Sequence, residues 1–308
     1  MKIKNNIHTG GARAWSLIAV FAAASMASPV QATENGGSQY RNGAEGFFGC
    51  CALPPPGIYE MLYVQRYRAD KLYGDHGQVV SPPGFDVAAN AIIVRALWVT
   101  SVEIAGAKLA AHAILPLVDL DLQIMPGIGQ RHRGAGDLTM GAGLGWQLGP
   151  ALHAVVALDT YIPTGRYRST DIANIGRNYW AVQPIAALTW RQREGLNADV
   201  KAMWTINARN SDTDYRSGQE ATADYSLGWA FGNGWTVGIG GYAYQQVTND
   251  EQGGATIVGN KGRAFAIGPA IQFQAANGFQ ISAKFERESR VRNRPGGESF
   301  WLKGIFHF

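Results

Sequence analysis

The sequence predicts an all-β protein: one antiparallel transmembrane β-barrel of about 12 strands, with short turns at one end and long loops at the other. Three observations predict it. Apolar residues alternate with polar or small ones in run after run, which gives each run one apolar face as a strand. The connections between the runs alternate short and long. Charged residues make up only 16% of a chain with 39 Gly, 9 Trp and 12 Tyr, where a soluble domain carries about 25% charge. The slightly negative mean hydropathy excludes a helical membrane protein.

The N-terminus reads as a secretory signal over residues 1–32. Lys2, Lys4 and Arg13 form a positive region, Ala14 to Ala27 an uncharged apolar stretch, and Pro29-Val30-Gln31-Ala32 a small-residue cleavage site. The whole chain holds 27 Lys+Arg, and removing those three leaves 24 against 23 Asp+Glu. The mature protein is therefore near neutral, and nucleic acid is not an expected partner. Residues 33–57 form a Gly-rich, then Pro-rich lead, read equally as a plug in the barrel mouth or a loose linker. It holds Phe47, Phe48 and the adjacent Cys50 and Cys51. Neighbouring cysteines bridge with strain, so two redox-idle thiols are expected, with a vicinal disulfide as the lesser alternative.

The barrel is expected over residues 58–308. Its strands fall at about 58–70, 87–101, 107–119, 137–148, 151–162, 179–191, 196–207, 219–231, 235–247, 263–274, 279–288 and 299–308. The fourth alternates most clearly: Leu138, Met140, Ala142, Leu144, Trp146 and Leu148 share one face, Asp137, Thr139, Gly141 and Gln147 the other. In the sixth, Pro184 lacks a donor and predicts a local bulge. Short connections fall near 102–106, 149–150, 192–195, 232–234 and 275–278. Long ones fall near 71–86, 120–136, 163–178, 208–218, 248–262 and 289–298. Strict alternation requires an even strand count with both ends on one side of the membrane. Trp146, Tyr161, Tyr179, Trp190, Trp204, Trp229 and Trp235 sit near strand ends, as interfacial aromatic girdles do. Hydrocarbon leaves an unpaired backbone group unsatisfied, so a sheet crosses a membrane only when closed.

The final strand places Phe300, Leu302, Phe306 and Phe308 on one face and Lys303 and His307 on the other. An amphipathic strand ending in Phe resembles the C-terminal signal of bacterial outer-membrane barrels. That resemblance implies the barrel-assembly machinery and outer-membrane lipids as partners, and the outer membrane as location.

The face opposite the apolar stripe is expected to line the lumen. It carries Asp137, Asp159, Asp199, Lys201, Glu220, Asp224, Lys284, Glu286 and Lys303, with Tyr242 and Tyr244 and, by the same parity, Glu60, Arg66, Lys108, His112 and His153. The signs are mixed, with no single-sign ring of an ion-selective pore. Two readings stay open: a salt-bridged interior that holds the barrel's shape, and a selective polar path. His112 and His153 belong to no nucleophile motif, which makes a barrel hydrolase the weakest alternative. His132, between Arg131 and Arg133, reads as a solvated basic loop. No metal constellation or cofactor motif is seen.

Several stretches carry a wider likeness: Leu53-Pro54-Pro55-Pro56-Gly57, Tyr67-Arg68-Ala69-Asp70-Lys71-Leu72, Ile114-Leu115-Pro116-Leu117-Val118-Asp119, Ala173-Asn174-Ile175-Gly176-Arg177-Asn178-Tyr179-Trp180, Asp212-Thr213-Asp214-Tyr215-Arg216-Ser217-Gly218-Gln219-Glu220 and Val291-Arg292-Asn293-Arg294-Pro295. Through them nearly the whole mature chain resembles the family of outer-membrane proteins associated with the meta-cleavage pathway of phenol degradation. The resemblance implies a channel for small hydrophobic, aromatic or phenol-type solutes and brings no established site residues. Arg177, Asn178, Asp212, Asp214, Arg216, Arg292 and Arg294 fall in expected loops and strand tops. There they are read as loop anchors or as a gate over the mouth. A structural or adhesive barrel with a closed lumen is the main alternative.

Overall fold

A computed structural model describes residues 32–307; residues 1–31 of the expected leader, Phe308 and the side chains of Asn35 and His307 lie outside the described residues. The strands are β1 (Gly57–Tyr73), β2 (Asp86–Ile104), β3 (Ala107–Met125), β4 (Ile128–Ala135), β5 (Leu138–Gln147), β6 (Leu152–Ile162), β7 (Ala181–Trp190), β8 (Glu194–Asn207), β9 (Arg209–Asn210), β10 (Tyr215–Arg216), β11 (Glu220–Phe231), β12 (Trp235–Gln246), β13 (Asp250–Gln252), β14 (Ala255–Ile257), β15 (Arg263–Gln274), β16 (Gln280–Arg292) and β17 (Arg294–His307). All pairings are antiparallel, and the main sheet closes because β1 pairs with both β2 and β17 while β2 also pairs with β3. Among the described residues the ring has twelve positions, since β4 and β5 share one place, end to end along β3. β9, β10, β13 and β14 form a small separate sheet from two long loops.

The ring is apolar outside and polar inside. Ile92, Trp98, Leu158, Leu188 and Trp229 point outward, each about half exposed, an arrangement that suits hydrocarbon rather than water. Gln183, Thr189, Glu220, Asp224, Lys284 and Glu286 are buried within the ring. Closure gives every ring strand a neighbour on both edges, which is the condition for crossing lipid. On β17, Phe300 and Phe306 face outward and Lys303 is buried inside. Trp190, Trp204, Trp229 and Trp235 are exposed near strand ends, whereas Tyr161 and Tyr179 are buried inside and belong to no girdle. Tyr161 instead donates to Gln183 at 3.0 Å.

Several boundaries differ from the sequence reading. Residues 289–298 form no long loop: β16 runs to Arg292 and β17 starts at Arg294, joined at Asn293 with φ 51°. The β16–β17 ladder itself ends at Arg287 and Glu298. Beyond that point each strand keeps only its other neighbour, β15 or β1. Residues 120–136 are mostly strand too, because β3 and β4 continue as a hairpin. There Asp119 faces Arg133 and Asp121 faces Arg131. Charges that read as loop are cross-strand partners: Arg131 Nη2 lies 2.6 Å and Arg133 Nε 3.0 Å from Asp119 Oδ2. His132 is likewise no solvated patch, since its Nε2 lies 3.1 Å from Asp171 Oδ2.

Pro184 causes no bulge. It aligns with Leu158 in unbroken register, and the β7–β8 register is the same on both sides of it. The β7–β8 ladder omits the rungs at Gln183 and Pro184, and Gln183 Nε2 donates to Thr205 Oγ1 at 2.7 Å beside the gap. Glu60 and Arg66 face outward, because Tyr59, Met61, Tyr63 and Gln65 are the buried parity of β1. Both faces of that strand carry apolar residues, so alternation alone mis-set it.

Candidate functional site

The stretch from Ala32 to Pro56 runs inside the ring, from the long-loop end to the start of β1. A short 3₁₀ turn, Glu34–Gly36, sits at the mouth. Glu34 there accepts from Thr213 at 2.6 Å, Asn210 at 2.8 Å and Tyr167 at 3.1 Å, all loop residues. Farther in, the Asp224 carboxylate accepts from Tyr40 at 2.6 Å, the Glu45 N–H at 2.9 Å and the Gly43 N–H at 3.0 Å. Asp199 accepts from the N–H groups of Gly49 at 2.8 Å and Cys50 at 3.1 Å, and from Thr189 and Ser226. Lys284 donates to the Gly43 carbonyl at 2.6 Å and pairs with Glu286 at 2.6 Å.

Glu45 stands at the centre of this lead. One oxygen meets Arg95 at 2.5 Å and Tyr63 at 3.0 Å, the other Lys303 at 2.7 Å. Burial pushes its pKa up, but Lys303 and Arg95 outweigh burial and hold it well below the usual carboxylate range. Phe47 and Phe48 are fully buried. Phe47 has Lys284 Nζ 4.7 Å and Lys303 Nζ 5.6 Å from its ring centre. Phe48 packs on Gly228, where a Cβ would come within 2.5 Å of its ring. Cys50 and Cys51 are unbonded to each other and half-buried.

These contacts sort the candidates from the sequence. Asp199, Asp224, Lys284, Glu286 and Lys303 all lie inside, and all but Glu286 hold the lead directly. Glu220 accepts from Asn207 at 3.0 Å, and Lys201 stands 5.4 Å from the Tyr40 ring centre. Asp159 lies 3.0 Å from His112, whose other ring nitrogen is 2.9 Å from Arg95. Asp137 accepts from the N–H groups of Gly165 and Arg177, each at 2.8 Å, and so folds the 163–178 loop back over the mouth. Tyr242 and Tyr244 are buried in the lumen. Tyr242 donates to Glu288, and Arg294 lies 4.6 Å from the Tyr244 ring centre.

The loop candidates divide. Asp214 pairs with Arg209 at 2.8 Å, and Arg216 lies 3.7 Å from Glu251. Asn178 donates to Asn210 at 2.8 Å, and the Asp212 N–H also donates to Asn210. Arg292 is exposed at the end of β16, and Arg294 opens β17 inside the barrel, so neither is a loop residue. Glu45, Arg95, Arg41 and Glu288 were missed. Arg95 had a signal, since it shares parity with the buried Ile93 and Leu97. Glu45 had none, because the lead has no period.

Between lead, loop and wall lies a cavity of about 270 Å³. One side is apolar: Phe85, Ile93, Ile114, Val118, Leu120 and Ile175. The other carries Arg41, Arg177, Tyr63, Tyr67 and Tyr242. The apolar side continues into a cluster of Phe47, Tyr63, Ile93, Leu97, Val99, Val118 and Trp301. The inner wall of β1–β3 is thus mostly apolar, interrupted by Gln65, Arg95 and His112, while the inner wall of β6–β12 is largely polar.

Residues 69–304 match the model of a protein family described as "Putative MetA-pathway of phenol degradation". The chain belongs to this family. Its barrel is similar to that of an outer membrane channel from Pseudomonas putida F1, with a TM-score of 0.74 at 21% identity over 83% of this chain and 97% of that one. Weaker likenesses include a FadL homologue from Pseudomonas aeruginosa, with a TM-score of 0.45 at 12% identity, covering 89% of this chain and 96% of that one. The toluene transporter TodX of Pseudomonas putida has a TM-score of 0.39 at 10% identity, with 86% and 94% covered. No curated protein with a matching sequence was found. Family and barrel together make this an outer-membrane type of β-barrel.

Proposed function

We propose that the protein is an outer-membrane channel for passive uptake of small hydrophobic solutes, aromatic and phenol-type compounds among them, with residues 33–57 as its plug. The observation that carries this reading is the apolar inner wall of β1–β3 facing a cavity. An ion-selective pore carries a ring of carbonyls or of charges of one sign, and the charged side chains named inside this barrel are of mixed sign. Apolar residues inside an otherwise polar barrel suit a solute that leaves water on entering. Membership in a family named for phenol degradation supports the solute class. No energised pump is needed, because such a solute moves down its own gradient.

In this reading the solute enters at the loop-covered mouth, rests in the cavity and passes when the lead shifts. The leader at 1–32 directs export, and β17, followed by Phe308, presents the chain to the assembly machinery. A closed structural barrel is the second reading, favoured by the filling of the lumen by Phe47 and Phe48. Ion conductance and uptake by the reconstituted full mature chain, and by a variant lacking residues 33–50, separate the two. With the lead in place a channel takes up the solute and a closed structural barrel does not; removing residues 33–50, and Phe47 and Phe48 with them, opens either one.

A further inference from the structure

Among the described residues, two guanidinium groups at the cavity stand in no ion pair with a carboxylate, although the Arg177 charge is felt by Asp137. Arg41, on the lead, donates one long hydrogen bond to Gln65 Oε1 at 3.4 Å. Arg177, on the loop that Asp137 pins over the mouth, rests on Gly37, where a Cβ would overlap its guanidinium at 1.8 Å. Gly37 therefore lets lead and loop close together around this point. Among the described residues neither arginine makes an ion pair, although both line the cavity.

The other charges around the cavity already have partners. Glu45 is held by Arg95 and Lys303, Glu286 by Lys284, and Asp159 lies against His112. Asp137 takes two backbone N–H groups. Glu288 accepts from Tyr67 at 3.0 Å and from the Gly297 N–H at 2.7 Å. Arg294 and Lys201 stand over aromatic rings. What remains is donor capacity of one sign, next to an apolar wall.

Burial and then the nearby Arg177 lower Arg41 from its ordinary value to about 10. Both groups are cationic at neutral pH and unfavourable to each other. An anion between them relieves that repulsion, and the planar guanidinium fork matches a carboxylate.

We propose that Arg41 and Arg177 together receive the carboxylate of a small amphipathic organic acid, whose apolar body lies on Ile93, Ile114 and Val118. The inference rests on the reading of the lumen as a path for apolar solutes, and it adds an aromatic or short-chain monocarboxylate to the solute class. The cavity of about 270 Å³ admits a single-ring acid. Because one arginine sits on the lead and the other on a loop, the bound acid bridges two segments that must part for passage.

The test is equilibrium dialysis at pH 7 of 4-phenylbutyrate and its neutral counterpart 4-phenylbutanol. The protein is the full mature chain in lipid nanodiscs, with empty discs as blank. The acid is expected to bind at least about tenfold more tightly than the alcohol. Arg41→Gln and Arg177→Gln should each lower the ratio of acid to alcohol affinity by about tenfold, with folded barrel confirmed by heat-modifiable mobility. The wild-type comparison stands by itself if a variant fails to fold. Equal binding of acid and alcohol overturns the carboxylate site and leaves the apolar path intact. An acid preference that survives both substitutions overturns the assignment to these arginines. Binding of neither compound overturns the site and the apolar path together.

Discussion

Glu45 and Lys303 meet at 2.7 Å, one on the segment inside the barrel and the other on the closing strand. Arg95 reaches the same carboxylate at 2.5 Å. Removing one member of a buried ion pair costs about 3–5 kcal/mol, because the partner charge stays buried. Here one substitution strands two cations. Glu45→Gln is expected to release the lead while leaving the barrel folded. Single-channel recording should show a conductance step several-fold larger than wild type; an unchanged step would mean that the lead is held elsewhere.

The same carboxylate sets a pH window. Its pKa is depressed when the lead is docked, so its contribution is fully present above the ordinary glutamate value of about 4.5. The contribution is lost as pH falls below that, toward the depressed value. The difference between wild type and Glu45→Gln in amide exchange over residues 38–50 should hold constant from pH 8 to pH 5 and narrow below about 4.5. A difference that closes between pH 7 and 6 would contradict the pairing.

Gly228 makes room for Phe48. Gly228→Leu places a branched side chain where the ring lies and should displace the lead without touching its ion pairs. Faster amide exchange in residues 45–50 and raised conductance are expected. Unchanged exchange would show that Phe48 repacks freely.

Ile92 and Ile93 are neighbours on opposite faces of β2, one 47% exposed and the other 6%. Ile92 lies between Val64 and Leu117 on the adjoining strands. Ile92→Arg should lower folding stability in a bilayer by about 2–4 kcal/mol. Ile93→Ala should act on the cavity and leave membrane insertion unchanged. Refolding titrations into lipid vesicles distinguish the two positions, and equal losses would reverse the assigned faces.

The barrel was legible wherever one face of a strand is apolar and the other polar, as in β5, β7, β8 and β11. Their facing is as the alternation of Leu138 to Leu148, Trp180 to Trp190, Ala198 to Ile206 and Ala221 to Phe231 indicates. On β1 and β2 apolar side chains sit on both faces, so parity misplaced Glu60 and Arg66, although it did mark Arg95 as inward beside Ile93 and Leu97. That ambiguity has a physical source, since it marks the apolar sector of the lumen. Charge misled at β4: Asp121, Arg131 and Arg133 read as loop but pair across a hairpin, Arg133 with Asp119 of the expected strand. The role of Glu45 depends on contacts 50 and 258 residues away, which local pattern cannot carry.

The central claim is that small apolar solutes cross through this lumen. It is tested most directly by initial uptake of limiting phenol in cells lacking the protein, complemented with wild type or with Ala89→Trp, which fills the cavity. Wild type should restore uptake of phenol and not of a sugar, and Ala89→Trp should fail although it reaches the membrane at normal levels. Equal phenol uptake with and without the protein would contradict the account.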